Sequence, residues 1–208
     1  MPSQVGDLDC FQPEELDTIL MGVKDTLMRV DVSQQVDLAT AMPRAAELFK
    51  ERQEAHLAAV EKAGKEALVA AAAEEGARTT ESGLVIKTLA EGSGDAPGPT
   101  ATVRVHYTGW LPGGEVFDSS LKRGEPIEFK LSGVVPGWTE GIQLMRPGGK
   151  AKLTLPAELG YGDQGKSLIP PKATLIFEVE LLAVVDAGDG AAGDGPGGSG
   201  DDDDDISI

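Results

Sequence analysis

The fold is decided by the stretch Gly133-Val-Val-Pro-Gly-Trp-Thr-Glu-Gly-Ile-Gln-Leu-Met145. The pair Pro136-Gly137 predicts a turn, and Ile142 and Met145 follow Trp138 at the spacing of one helical face. The pattern therefore predicts a short amphipathic helix that buries its tryptophan. Because large aromatic side chains mostly fill cores, packing alone is enough to explain this stretch. Any further role has to come from the residues around it.

The aromatic residues concentrate the core in the C-terminal half. Seven of the nine aromatic residues lie between positions 107 and 177. Apolar and polar residues alternate through 103–107, 127–131, 151–155 and 175–181, as in half-buried strands, and residues 84–86 read as an earlier strand. We therefore predict an α+β fold, with an antiparallel sheet wrapped over the one short helix. This domain, residues 83–185, is expected to fold alone.

The N-terminal part is predicted to be helical. After a leader at 1–12, apolar residues from Leu16 to Leu27 recur at three- and four-residue steps, which predicts a helix that needs a partner. A second helix, predicted from about 44 to 77, is rich in helix formers and poor in large apolar residues, which is typical of a mostly solvated linking helix. We expect a helical extension over 13–80 and a homodimer formed through 13–77.

The distribution of charge and the sequences of the two ends of the chain exclude several classes of function. The net charge is −17, and residues 186–208 carry eight acidic side chains and no basic one, which predicts a disordered acidic tail. Nucleic-acid binding is excluded because no basic patch exists, and no apolar run is long enough for a membrane span. The lone Cys10 predicts neither a disulfide nor a metal site. Residues 1–9 lack signal-peptide features, so we expect a cytoplasmic protein as written, or a periplasmic one if the N-terminus is truncated.

Five motifs follow one another along 83–185. They are Val105-His106-Tyr107-Thr108-Gly109, Val116-Phe117-Asp118-Ser119-Ser120, Gly137-Trp138-Thr139-Glu140-Gly141, Leu159-Gly160-Tyr161-Gly162 and Ile169-Pro170-Pro171-Lys172-Ala173-Thr174-Leu175. Together they resemble the FKBP-type peptidyl-prolyl cis-trans isomerases. The upstream helices resemble those of the bacterial branch that includes the macrophage infectivity potentiators. The resemblance implies a site without metal or cofactor that acts on proline-containing polypeptides and binds macrolides of the tacrolimus and rapamycin type.

The same resemblance implies the site residues. Trp138 forms the floor of a pocket, and Asp118 and Arg123 form a polar network with Tyr107 at its rim. The Tyr161 hydroxyl and the backbone N–H of Val135 are the donors that meet substrate carbonyls. The pocket walls are implied at Tyr107, Phe117, Phe129, Val134, Val135, Ile169 and Phe177.

Two other functions remain open at the level of sequence. The same pocket could hold proline-containing segments as a chaperone module without useful turnover. Alternatively, the helical extension could be the functional part of a dimeric scaffold, with an incidental pocket. The complete aromatic set favours the isomerase over both.

Overall fold

The computed structural model describes residues 38–186. The predicted leader, the amphipathic helix that contains Leu16 to Leu27, and residues 187–208 of the predicted acidic tail lie outside the described residues. Asp186, predicted as the first residue of the tail, is instead the last residue of a strand. By its internal contacts the chain divides into two compact units, Met1–Val60 and Glu61–Ile208. No helix within 38–186 is long and apolar enough to cross a membrane.

The linking helix, α1, spans Leu38–Ala72. It begins six residues before the predicted start, because Pro43 lies inside the helix and does not open it. Proline has no backbone N–H to donate, so the helix lacks one hydrogen bond at this position. The helix ends five residues earlier than predicted. Gly76 has a φ of +79°, and the chain turns there into a strand.

Seven strands form one antiparallel sheet in the order β1-β2-β6-β7-β3-β4, with β5 paired to β3. The predicted strands lie in β2, β3, β5, β6 and β7, whereas β1 and β4 were not predicted. The strand bounds are Ala77–Thr79 (β1), Val85–Ala90 (β2), Thr102–Trp110 (β3), Val116–Ser119 (β4), Ile127–Lys130 (β5), Lys150–Leu155 (β6) and Leu175–Asp186 (β7).

The sheet wraps over one helix, α3, at Pro136–Gln143, as predicted. Short helical turns precede it: α2 at Ser120–Arg123 and a 3₁₀ turn at Leu131–Gly133. A second 3₁₀ turn, Ala157–Leu159, follows β6. Trp138 and Ile142 of α3 are buried in a core whose other members come mainly from β3, β6 and β7. The predicted α+β fold is confirmed.

The end of α1 differs from the solvated helix predicted by its composition. Gly64 and Ala71 are buried, and Glu61 and Glu74 are half-buried. The Glu74 carboxylate, just beyond the helix, pairs with Lys87 of β2 at 3.0 Å and with Lys152 of β6 at 2.5 Å. Single small residues at helical spacing do not form an apolar stripe, so composition did not reveal this contact.

Candidate active site

Strand pairing brings three of the implied polar residues together. Gly109 of β3 pairs with Asp118 of β4, and α2 begins immediately after β4. The Ser119 hydroxyl caps α2 by accepting a hydrogen bond from the Lys122 N–H. This single helical turn carries Arg123 back beside Asp118, five positions earlier in the chain.

Tyr107, Asp118 and Arg123 form a closed hydrogen-bonded network. The Tyr107 hydroxyl donates to Asp118 Oδ2 and accepts from Arg123 Nη2 at 2.9 Å. Arg123 Nη1 donates to Asp118 Oδ1, which also accepts the Ser119 N–H at 2.7 Å. Both carboxylate oxygens therefore have donors, and the Asp118 carboxylate serves to orient its partners.

Burial, followed by the hydrogen bond to Asp118, raises the pKa of Tyr107 from 10.0 to about 12. The hydrogen bond to Tyr107 is the main cause that raises the pKa of Arg123. The tyrosine is therefore neutral and the arginine charged throughout the physiological pH range.

An aromatic cluster surrounds Trp138. Its ring centroid lies 5.0 Å from that of Tyr107 and 5.1 Å from that of Phe177, both nearly edge-on. The Phe129 ring lies 5.3 Å from Trp138, and the Phe117 ring lies 5.5 Å from Phe177. Edge-to-face pairs at these distances are favourable for aromatic rings. Five of the six implied aromatic residues, all except Tyr161, therefore belong to one contiguous cluster.

Gly109 makes this cluster possible, and sequence reasoning did not identify it as a site residue. A Cβ at this position would lie 2.6 Å from Phe117 Cζ and 2.7 Å from Phe177 Cε1. Only glycine lets the two rings pack over β3 at this point. The signal was present as the last residue of the first motif, but a glycine in a strand also marks bulges and bends.

A surface cavity of about 150 Å³ opens beside the cluster. Its walls include the predicted residues Phe117, Asp118, Tyr161 and Ile169. Ile169 is buried. The Tyr161 side chain is also partly buried, and this burial is the main cause that raises the pKa of its hydroxyl, which stays protonated at neutral pH. A cavity of about this volume can hold one small ring such as benzene.

Three further residues line the cavity but were not predicted: Lys166, Ser167 and Leu168. They belong to the loop that follows Tyr161, and the Lys166 ammonium lies 5.6 Å from the centroid of the Tyr161 ring. No strand or helix pattern runs through this loop, so its side chains could not be placed from sequence.

The implied residues Val134 and Val135 occupy a different position. Both are half-buried, immediately before α3, and neither lines this cavity. The Val135 carbonyl accepts the Trp138 N–H at 2.9 Å and the Thr139 N–H at 3.2 Å. The valine therefore caps the helix that carries Trp138. Its proposed role as a donor to substrate stays a prediction.

Comparison with known proteins places this site in a family. A family model described as FKBP-type peptidyl-prolyl cis-trans isomerase matches residues 94–182, and a model of the domain amino-terminal to such isomerases matches 9–87. A probable FKBP-type peptidyl-prolyl cis-trans isomerase of Haemophilus influenzae is 45% identical over 180 residues, covering 80% of this chain and 71% of that protein. The chain belongs to the FKBP-type peptidyl-prolyl cis-trans isomerases.

Two further matches agree with this assignment. The crystal structure of FkpA from Escherichia coli superposes with a TM-score of 0.66 at 40% identity, over 82% of each chain. An FK506-binding protein of Neisseria meningitidis is 52% identical over 105 residues, which are 49% of this chain and 96% of that protein. Several longer relatives are matched over less than two thirds of their length, 63% in one case and 45% in another.

The predicted FKBP family and fold are thereby confirmed. Family membership supports the isomerase activity and does not favour the non-catalytic chaperone module or the scaffold. It also implies that the FKBP domain recognises proline-containing peptides and has the fold that binds macrolides. The roles of individual residues in this chain are not decided by the comparisons, and they follow as proposals.

Proposed function

We propose that this FKBP catalyses rotation about X–Pro bonds by holding the proline ring against apolar walls of the cavity. The observation that carries the proposal is the pairing of a ring-sized cavity with a neighbouring carboxylate whose two oxygens already accept hydrogen bonds. Phe117, Leu168 and Ile169 supply the apolar walls. Because the Asp118 oxygens already accept from Tyr107, Arg123 and a backbone N–H, the carboxylate is not free to act as a general base.

The chemistry suits such a site. A planar amide resists rotation by roughly 18–20 kcal/mol because resonance gives its C–N bond double-bond character. The twisted amide has lost this resonance, and its carbonyl is less polar than in the ground state. An apolar wall therefore stabilises the twisted form relative to the planar one, and the remaining binding energy orients the flanking chain.

Tyr161 is proposed to orient the substrate by donating a hydrogen bond to a carbonyl beside the proline. Tyr161 lies in the cavity wall, and burial raises its pKa, so its hydroxyl remains a donor at neutral pH. The backbone N–H of Val135 is proposed as a second donor. Trp138 and the four rings around it keep the shape of the site.

Tyr161→Phe tests this orientation. We expect kcat/KM to fall about tenfold or less, because one neutral hydrogen bond contributes about 0.5–1.5 kcal/mol. The measurement is isomerisation of a short prolyl peptide, with the melting temperature followed in parallel. Phenylalanine keeps the ring, so stability should change little. A variant with full activity would remove Tyr161 from the substrate contacts.

The reaction is expected to proceed without proton transfer, so its rate should not depend on pH between about 6 and 8. Both raised tyrosine pKa values keep these side chains neutral there, and neither histidine of the chain lines the cavity. A bell-shaped profile of kcat/KM near neutrality would contradict this mechanism.

The contribution of Tyr107 to the stability of the fold depends on pH only at more alkaline values. Because folding raises the pKa of Tyr107, the contribution of this side chain to stability is complete below pH 10.0 and is lost as the pH rises towards 12.

The isomerase activity is tested on the full chain with and without tacrolimus. We expect catalysed cis–trans isomerisation of a prolyl peptide and inhibition by the macrolide at a stoichiometric concentration. Binding of tacrolimus without any catalysis would favour the binding module. Absence of both would refute the proposed function.

We further propose a homodimer through residues 13–77. The proposal is supported by the match of the amino-terminal domain model to residues 9–87 and by the apolar stripe from Leu16 to Leu27. Two linked sites raise the effective concentration on a long unfolded substrate. Light scattering of the full chain at tens of micromolar tests it, and a monomeric mass would exclude it.

A further inference from the structure

The last turns of α1 lie against the loop that forms one wall of the cavity. Residues 61, 64 and 71 share one face of α1, residue 74 follows just beyond its end, and all four are buried or half-buried. The loop in question runs from Tyr161 to Thr174 and leads into β7. One face of the linking helix is thus in contact with the isomerase domain, next to residues that line the proposed site.

Gly64 makes the closest of these contacts. A Cβ at this position would lie 2.5 Å from Thr174 Oγ1, 3.0 Å from Thr174 Cβ and 3.5 Å from the Thr174 backbone nitrogen. Thr174 is itself buried, with 4% of its surface exposed, so its side chain has little room to move. Glycine inside a helix lowers stability by about 1 kcal/mol relative to alanine. At this position it permits the helix to approach the loop.

Lys172 ties the same loop at a second point. Its ammonium pairs with the Glu61 carboxylate at 2.6 Å, and this hydrogen bond lowers the pKa of Glu61 and raises that of Lys172. The Lys172 backbone N–H donates to the Gly162 carbonyl at 2.8 Å, which closes the base of the loop beside Tyr161. Lys172 has a φ of +61°, a conformation that a non-glycine residue adopts at a cost.

A small hairpin forms the tip of the loop. Lys166 and Ile169 exchange two backbone hydrogen bonds, at 2.9 and 2.8 Å, and the Lys166 ammonium lies near the Tyr161 ring. This hairpin presents Leu168 and Ile169 to the cavity. The base of the same loop is fixed in part by the two contacts with α1, so a shift of α1 is expected to move the hairpin.

We propose that the end of α1 is a positioning element for the active site, and that Gly64 and Glu61 set the position of the cavity wall through Thr174 and Lys172. The proposal rests on the proposed function, because it assigns the wall of that cavity. It predicts that the linking helix affects catalysis directly, in addition to carrying the N-terminal extension. The segment 83–185 lacks this support, so it is expected to be less active than the full chain.

Gly64→Ala in the full chain is the test. The added methyl group favours the helix but forces Thr174 or the helix to move, and a misplacement of about 1 Å can cost a hundredfold in rate. We expect kcat/KM to fall about tenfold while circular dichroism shows a fully folded chain. Hydrogen exchange at the Lys172 amide should rise about tenfold, because its bond to Gly162 is loosened. Ala63→Leu, on the exposed side of the same turn, should change neither value by more than twofold.

A second variant separates positioning from a general loss of stability. Thr174→Ala removes the oxygen that an alanine at 64 would meet, so Gly64→Ala with Thr174→Ala should recover at least threefold of the activity lost by Gly64→Ala alone. If Gly64→Ala lowers the melting temperature but leaves kcat/KM and Lys172 exchange within twofold, the proposal is wrong. If the wild-type chain catalyses no isomerisation, the proposed function fails, and the exchange at Lys172 still decides whether α1 fixes the loop.

Discussion

Asp118→Val is expected to lower kcat/KM by about a hundredfold and to weaken macrolide binding in parallel, while the chain stays folded. The carboxylate lines the cavity and holds the Tyr107 hydroxyl and the Arg123 guanidinium by hydrogen bonds. Hydrogen bonds to a charged group contribute about 1.5–3 kcal/mol, and each 1.4 kcal/mol is a factor of ten. Valine has nearly the volume of aspartate, so the loss reports on the network and not on packing.

The experiment compares peptide isomerisation, tacrolimus affinity and thermal stability for this variant. Asp95→Val is the matched control, because Asp95 is exposed and does not line the cavity. We expect a moderate loss of stability for Asp118→Val, since the buried Tyr107 hydroxyl loses its acceptor, and no loss of activity for the control. An Asp118→Val protein with full activity and unchanged tacrolimus affinity would show that the network is not part of the site.

Much of the domain could be predicted from local pattern. Alternating residues identified the strands that build the sheet, and the turn before Trp138 identified its one covering helix. The resemblance of the five motifs to the FKBP-type isomerases implied the network of Tyr107, Asp118 and Arg123, and the structure places the three side chains in contact. The strands and the helix follow from residues that are near in sequence, and the network follows from the strand arrangement that the family resemblance implied.

The features that sequence did not reveal depend on contacts between distant segments. A three-residue strand such as β1 is too short for periodicity to detect. A glycine in a helix predicts a weak helix, and nothing near Gly64 indicates a threonine 110 positions away against which it packs. The same holds for Gly109, whose importance comes from two phenylalanine rings on other strands.

Trp138 is the residue whose loss should damage the protein most. Its side chain is 1% exposed and lies in contact with three other rings. Truncating a buried aromatic side chain to alanine costs about 3–5 kcal/mol, and whole domains are stable by only about 5–15 kcal/mol. Trp138→Ala is therefore expected to leave a marginally folded chain. Urea unfolding followed by circular dichroism measures this loss.

Trp138→Leu separates the role in the site from the role in the core. The indole N–H has no hydrogen-bond partner within residues 38–186, so leucine breaks no hydrogen bond there, and the loss comes from the packing of a smaller side chain. We expect a smaller loss of stability than for alanine, together with a clear fall in kcat/KM, because the Tyr107, Phe129 and Phe177 rings lose the surface that holds them. Trp110→Leu, at the half-buried end of β3, is the control for replacing a tryptophan as such. If both leucine variants lost equal activity, the effect would belong to the sheet and not to Trp138 as the centre of the site.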